Sequence, residues 1–309
     1  MFDIRDVYIQ TLIEIANHNP LVVVMDADVS KSTRSRKFAL KHPDRFFNVG
    51  VAEMNLVGMA AGLAAEGKIP FISSFCVFII LRACEPVRTM ISYPNLNVKL
   101  VGGYAGLTAG QHGPTHHSLR DISVARSLPN FVILSLSDYV STEKAVKAAA
   151  EWMGPVYLRL GYNKQKAVYP EDMDFHIGKA YMLKNGYDLT ILSTGLIINE
   201  VLKAVEELEN DNISVRVIDY PTIKPLDEEL ILQAAKETGA ILTVEDHSVL
   251  GGFGGGVAEL LAQNTPVPME LVGVGDIFAE SAPYEDLLVS YGPAACNIIK
   301  ATRRLLKRK

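Results

Sequence analysis

Glu53 is the side chain in this sequence best placed to handle a proton. It closes the run Phe47-Asn-Val-Gly-Val-Ala-Glu53, which reads as a strand-to-helix turn. It also opens a helix of small residues: Gly58, Ala60, Ala61, Gly62, Ala64 and Ala65. Small residues let another backbone approach closely, so a carboxyl group there keeps little water. Burial raises a carboxyl pKa, and each unit corresponds to about 1.4 kcal/mol. An acid kept protonated in this way can donate a hydrogen bond. The plain alternative is an exposed, capped helix start. A second constellation is the loop Gly106-Leu-Thr-Ala-Gly-Gln-His112-Gly-Pro-Thr-His116-His117. A glycine-rich loop can set imidazoles beside a cleft, and histidine carries protons near neutral pH. No carboxylate pattern accompanies the three histidines, so no metal site is expected there.

Phe75 and Phe78, three residues apart, lie on one helical face. They read either as core packing or as a wall against a flat ring. The segment Asp26-Ala-Asp28-Val-Ser-Lys-Ser32 follows the first apolar run, and strand ends of parallel sheets are where sites form. Asp26 reads equally well as a turn acid. Arg34 and Arg36 offer positive charge to an anionic ligand, or are surface cations. Glu245-Asp246-His247 precedes the cluster Gly251–Gly256. A glycine loop before a helix can cradle an anion, but close packing explains it as well, and a structural or regulatory role is expected.

The elements that must position these residues alternate. Residues 6–17 read as an amphipathic helix. Residues 21–25 are a valine-rich run, the mark of a strand buried on both faces. Strands at 45–51, 70–74, 97–101, 131–136 and 155–160 alternate with helices at 76–92, 121–127 and 141–152, which argues a parallel sheet covered on both sides. The pattern weakens between 161 and 185, where Lys, Tyr, Pro and Asp mix as in a linker. A second α/β unit follows, with strands at 189–193, 214–219, 240–245 and 269–272. Its helices fall at 197–208, at 228–238, from the glycine cluster through 261, and from about 293. The expected division is a first domain over 1–165, a linker over 166–187 and a second domain over 188–309.

Composition bounds the function. The 309 residues carry a net charge of −5, with 49% hydrophobic and 21% charged residues, a globular balance for two domains. No basic stripe points to nucleic acid. No apolar stretch approaches the roughly 18 residues of a membrane span, and the start does not resemble a signal peptide. Cys76, Cys84 and Cys296 form no paired spacing and are expected as inert thiols of a reducing compartment. A soluble, cytoplasmic protein is expected.

The run 47–67, the Gly-Pro-Thr-His sequence at 113–116, and the stretches Asp276-Ile-Phe-Ala-Glu-Ser281 and Glu285-Asp-Leu-Leu-Val-Ser-Tyr-Gly292 resemble the transketolase family of thiamine diphosphate enzymes. The resemblance covers almost the whole chain. It implies a pyrimidine-binding α/β domain followed by the family's C-terminal α/β domain. It implies that Glu53 hydrogen-bonds a ring nitrogen of the cofactor's aminopyrimidine and turns the cofactor into its own base. By the same resemblance, Phe78 stacks on that ring with Phe75 beside it. Asp28 reaches the cofactor across a dimer, Ser32 meets the donor sugar's phosphate, and His116 touches substrate hydroxyls and takes part in catalysis.

Leu81 replaces a common tyrosine of the family, which leaves one side of the stacking wall less polar. Three further departures bear on substrate. Gln111-His112 stands where the family has Glu-Asp, which makes His112 a candidate for sugar hydroxyls. Gly102-Gly103-Tyr104 replaces a second family histidine. Tyr162 stands where a phosphate-binding arginine is usual, so the donor's anionic end is expected to be held differently, by Arg34, Arg159 or a partner residue, or to be a sulfonate or a branched sugar. The family's diphosphate site, Gly-Asp-Gly followed by Asn around a bivalent metal, has no match, since Gly275-Asp276 is followed by Ile277. The resemblance therefore implies the C-terminal subunit of a split transketolase. Mg2+ (or Ca2+) would be held by a separately encoded N-terminal subunit, and two copies of each chain would form an α2β2 assembly. The reaction implied is transfer of a two-carbon ketol unit from a ketose to an aldose. Rival readings are a 1-deoxyxylulose-5-phosphate synthase-like enzyme, a 2-oxo acid dehydrogenase β-subunit-like enzyme, and a non-catalytic partner that completes a dimer.

Overall fold

A computed structural model describes residues 2–162 and 164–309. Among the described residues the first half runs β1 (Phe2–Asp3), α1 (Ile4–His18), β2 (Val22–Asp26), α2 (Ser30–Thr33), α3 (Arg36–Lys41), β3 (Phe46–Asn48), α4 (Glu53–Ala65) and β4 (Ile69–Phe75). Two helical segments with wide, π-type turns, Val77–Arg82 and Val87–Ser92, then flank the short α5 (Cys84–Pro86). There follow β5 (Lys99–Gly103), α6 (Asp121–Ser127), β6 (Val132–Ser135), α7 (Tyr139–Glu151), β7 (Val156–Arg159) and β8 (Lys164–Gln165). The second half runs β9 (Tyr181–Lys184), β10 (Leu189–Thr194), α8 (Ile198–Asn210), β11 (Val215–Asp219), β12 (Thr222–Lys224), α9 (Glu228–Thr238), β13 (Ile241–Ser248), α10 (Phe253–Asn264), β14 (Met269–Val274), α11 (Tyr284–Tyr291) and α12 (Ala295–Leu306).

The larger sheet has the order β12-β6-β7-β5-β4-β2-β3. All its pairs are parallel except that of β12 with β6. Every residue of β2, β5 and β7 is buried, as strands covered on both faces must be. The smaller sheet has the order β14-β13-β10-β11-β9, with β9 antiparallel to β11. Two fully α/β units are therefore present, as the alternating pattern implied. No described helix is long and apolar enough to cross a membrane.

Three local features depart from expectation. The stretch read as linker contains β9, an edge strand of the second sheet. The three-residue β12 leaves the second half and joins the first sheet. Strands this short carry no period of their own, and their partners, not their composition, create them. The helix expected over 76–92 is built from wide turns, with Ala83 N bonded to Phe78 O at 3.2 Å and Tyr93 N to Arg88 O at 2.9 Å. Such turns recur at functional sites.

The two units share one core. Tyr157 and Ile133 of the first sheet pack in the same apolar cluster as Ile218, Tyr220 and Phe253 of the second. A buried polar network crosses the junction. Arg159 Nε bonds Asp121 Oδ2 at 2.7 Å, and Arg159 Nη2 donates to Asp246 O at 2.8 Å. Asp246 in turn accepts from Leu107 N at 3.0 Å and from the Tyr284 hydroxyl at 3.1 Å. Gly106 sits at φ +60°, and a Cβ added there would run into the Asp246 carboxyl. Gly106→Ala therefore combines left-handed strain with overpacking at the junction, and is expected to lower stability by about 2–4 kcal/mol. Chemical unfolding of the variant chain measures this directly, and a loss under about 0.5 kcal/mol would mean that the junction yields freely.

Candidate functional site

The C-terminal ends of β2 and β4, the start of α4 and the loop after β5 meet at one cleft. Glu53, the first residue of α4, is only 2% exposed. Its Oε1 accepts from the Ser74 hydroxyl of β4 at 3.2 Å. Its Oε2 accepts from Arg82 Nη1 at 2.9 Å. The expectation of an acid surrounded by apolar groups thus meets a cation. Arg82 is half-exposed and lies with its guanidinium carbon 4.2 Å from the centroid of Phe78. Sequence reasoning missed it, although its position four residues after Phe78 places both on one helical face.

Phe75 and Phe78 form a wall beside Glu53, with centroids 5.7 Å apart and planes 23° from parallel. The wall continues. Tyr104 lies 4.5 Å from Phe75, and Tyr162 stacks on Tyr104 at 4.6 Å and 28°. Arg5 closes the far end, 4.2 Å from the Tyr162 ring. Tyr104, Thr108, His112, Tyr162, Tyr284 and Glu285 line an adjoining cleft of about 300 Å³. His116 meets Phe78 edge-on at 5.2 Å and lies 5.5 Å from His112. Thr115 Oγ1 hydrogen-bonds its Nδ1 at 2.9 Å. Desolvation first, then the neighbouring His112, His117 and Arg82, hold the His116 pKa below its usual 6.5. His117 points elsewhere: its Nε2 bonds Gly110 O at 3.0 Å and ties the loop to itself.

Asp28 stands at the end of β2 with φ +63°. It is exposed and exchanges two hydrogen bonds with Asn48, from its own N–H at 3.0 Å and to its Oδ1 at 2.9 Å. Asp26 beneath it is buried and builds the loop, accepting from Val29 N, Thr33 Oγ1 and Ser35 Oγ at 2.6, 2.7 and 2.8 Å. Burial pushes its carboxyl pKa up despite those bonds. Ser32 offers its carbonyl to Arg5 Nη1 at 2.8 Å. Arg34 is held by Asp3 and Asp6 at 3.2 and 3.4 Å.

Arg159 is 4% exposed, and its Nε and Nη2 go to Asp121, Ser118 O and Asp246 O. Held on that side by its own protein, the guanidinium braces the domain junction, and only Nη1 is left toward the small cavity that Arg159 lines with Thr108, Ser135 and Gly161. The glycine cluster after β13 is likewise filled from within. Glu245 accepts from Phe253 N and Gly254 N, both at 2.8 Å, which satisfies the start of α10. Among the described residues no group of three or more His, Cys, Asp or Glu side chains is placed to hold a metal ion.

The cleft therefore offers a buried carboxyl, a flat aromatic wall beside it, and an imidazole kept neutral at physiological pH. This is an arrangement for gripping a planar, nitrogen-bearing ring and steering protons around it.

Comparison with known proteins gives the arrangement a family. The sequence matches the profile "Transketolase, pyrimidine binding domain" over residues 1–166 and "Transketolase, C-terminal domain" over 178–298. It is 42% identical to a protein of Methanocaldococcus jannaschii described as a transketolase C-terminal section, covering 99% of this chain and 96% of that one. It is 40% identical to a 6-deoxy-6-sulfo-D-fructose transketolase subunit of a Clostridium species, covering 99% and 95%. Human transketolase is 34% identical over 98% of this chain but only 49% of its own length. A solved structure described as a split-gene transketolase, an inactive β4 tetramer, superposes with a TM-score of 0.93 at 43% identity over 99% of each chain. The chain belongs to the transketolase family and corresponds to the half that some members make as a separate C-terminal subunit.

Proposed function

We propose that this chain is the catalytic C-terminal subunit of a thiamine diphosphate-dependent transketolase, active only with an N-terminal partner subunit. The observation that carries the reading is the Glu53 carboxyl, sunk at a helix start and joined through Arg82 to the Phe75–Phe78 wall. These residues fit the cofactor's aminopyrimidine: the carboxyl for a ring nitrogen, the Phe78 face for the ring itself, and Phe75 behind. Bound thiamine diphosphate would supply the nucleophilic carbon that carries a two-carbon ketol unit from a ketose to an aldose. Glu53 would hold a proton at the ring nitrogen, and Asp28 would reach the cofactor from the strand end. His116 and His112 would address sugar hydroxyls from the cleft. Ser32 and Arg34 would face the anionic end of the donor, a phosphate or a sulfonate.

The diphosphate and its Mg2+ (or Ca2+) fall to the N-terminal subunit on this reading. Support for a partner surface comes from the rim of the site. Val51, Met54 and Met59 are 73%, 58% and 41% exposed around a glutamate that is not. Exposed apolar patches of this kind mark interaction surfaces. Two copies of each chain would build an α2β2 assembly. All three cysteines are free thiols, in keeping with work in the cytoplasm.

The test is reconstitution. Neither subunit alone should transfer ketol units, and the pair should. Glu53→Gln keeps the shape but removes the acid, so turnover should fall by about 10²–10⁴-fold while assembly, read by size exclusion, persists. Unchanged turnover would sink the mechanism. A second expectation concerns pH. His116 works as the neutral imidazole, and its pKa lies below 6.5, so the acid limb of kcat/KM should fall below that pH. Replacing His112 with Asn removes one neighbouring positive charge and should move the limb upward, toward 6.5. A downward move would exclude His116 as its source.

A further inference from the structure

We propose that Arg82 stands in for the cofactor's aminopyrimidine in the cofactor-free chain and must leave before the ring can bind. The inference rests on the assignment of Glu53 and Phe78 to that ring. The geometry is specific. The guanidinium of Arg82 lies 4.2 Å from the Phe78 centroid, and Nη1 of the same group lies 2.9 Å from Glu53 Oε2. A guanidinium is flat, delocalised and edged with N–H donors, and it stacks readily on aromatic faces. It therefore makes with this chain the two contacts that the aminopyrimidine would make, one through its face and one through its edge. One slot cannot hold both groups.

Arg82 is suited to a temporary place. Its side chain is 47% exposed, whereas Glu53 is 2% exposed. It stands at the end of the wide turns of Val77–Arg82, with nearly half its side chain already in solvent. While it stays, it supplies what a buried carboxylate lacks, an opposite charge and a hydrogen-bond donor. Removing one partner of such a pair leaves the other stranded. Arg82 thus keeps Glu53 in place while the ring is absent, and competes with the ring when it arrives. A ligand that must first displace an internal group binds more weakly, by the fraction of molecules in which the slot is open.

Arg82→Met and Arg82→Gln remove the guanidinium and keep much of the length. In the complex reconstituted with the N-terminal subunit, titration calorimetry should show thiamine diphosphate binding about tenfold more tightly to either variant than to wild type. The same variants, as free chains, should melt at a lower temperature than wild type, because Glu53 has lost its cation. Arg82→Lys retains the charge but not the flat stacking group. It should fold like wild type and gain affinity by less, which keeps the test open if the uncharged variants fold poorly. Equal or weaker binding in the variants overturns the inference, and weaker binding would make Arg82 a cofactor ligand instead. Failure of the wild-type complex to bind thiamine diphosphate would instead overturn the functional reading itself.

Discussion

A carboxyl group taken out of water must be met by donors or by a proton, and Glu53 is the point at which this chain faces that requirement. The fold carries it into the protein at the first turn of α4, where the strand ends converge. It meets there one hydroxyl, from Ser74, and one guanidinium, from Arg82. That guanidinium lies over Phe78, which His116 meets edge-on, so the aromatic wall and the histidine loop join the carboxyl through it. Met54 and Met59 of α4 are exposed nearby. An exposed apolar rim of this kind suits a chain whose relatives include separately made transketolase subunits.

The same problem recurs at the domain junction and is solved differently. Asp121 is fully buried. Burial works to raise its pKa, but Arg159 and His247 outweigh it and hold the carboxyl low. Asp246 and Glu245 receive backbone and hydroxyl donors, and Arg159 lowers both by less than burial raises them. Burial pushes them up to about 6 and about 7. His247, buried among them, is driven down to about 4. These groups spend their hydrogen bonds on one another and on α10. Buried polar links of this kind tie a junction together, although His247 Nε2 is left without a hydrogen-bond partner. It locks the histidine loop, through Gly106 and Leu107, to the strand that carries Asp246. The contrast with Glu53 is instructive. Its cation is half in solvent, whereas both members of the Arg159–Asp121 pair are buried.

Much of this was legible in the residues. The valine-rich β2, the period of α8 and the capped α9 declare themselves locally, and the helix expected over 228–238 is the one observed. The burial of Glu53 was legible because small residues and an acid at a helix start form a local pattern. Arg82 was not found, because its role depends on a contact with a residue 29 positions away. The bracing role of Arg159 was hidden for the same reason, since Asp121 and Asp246 reach it from other elements. Arg5 is a further case: its stacking on Tyr162 joins residues 157 positions apart. Short strands such as β9 and β12 were hidden for the matching reason, that their partners create them.

These cases share a physical rule about long cationic side chains. Arg5, Arg82 and Arg159 each end on an aromatic face, a carboxylate or both, and each has a partner far away in the sequence: Tyr162, Glu53 and Asp121. A guanidinium reaches several ångströms from its own backbone and stacks as readily as it pairs, so three-dimensional proximity decides its role. Exposure then separates the functions. Arg159, enclosed, is a brace. Arg5, buried against Asp3 at 2.6 Å, stiffens the far end of the aromatic wall. Arg82 alone among the three keeps one side in water. A cation that can return to solvent at small cost can yield its place to another flat, nitrogen-bearing group.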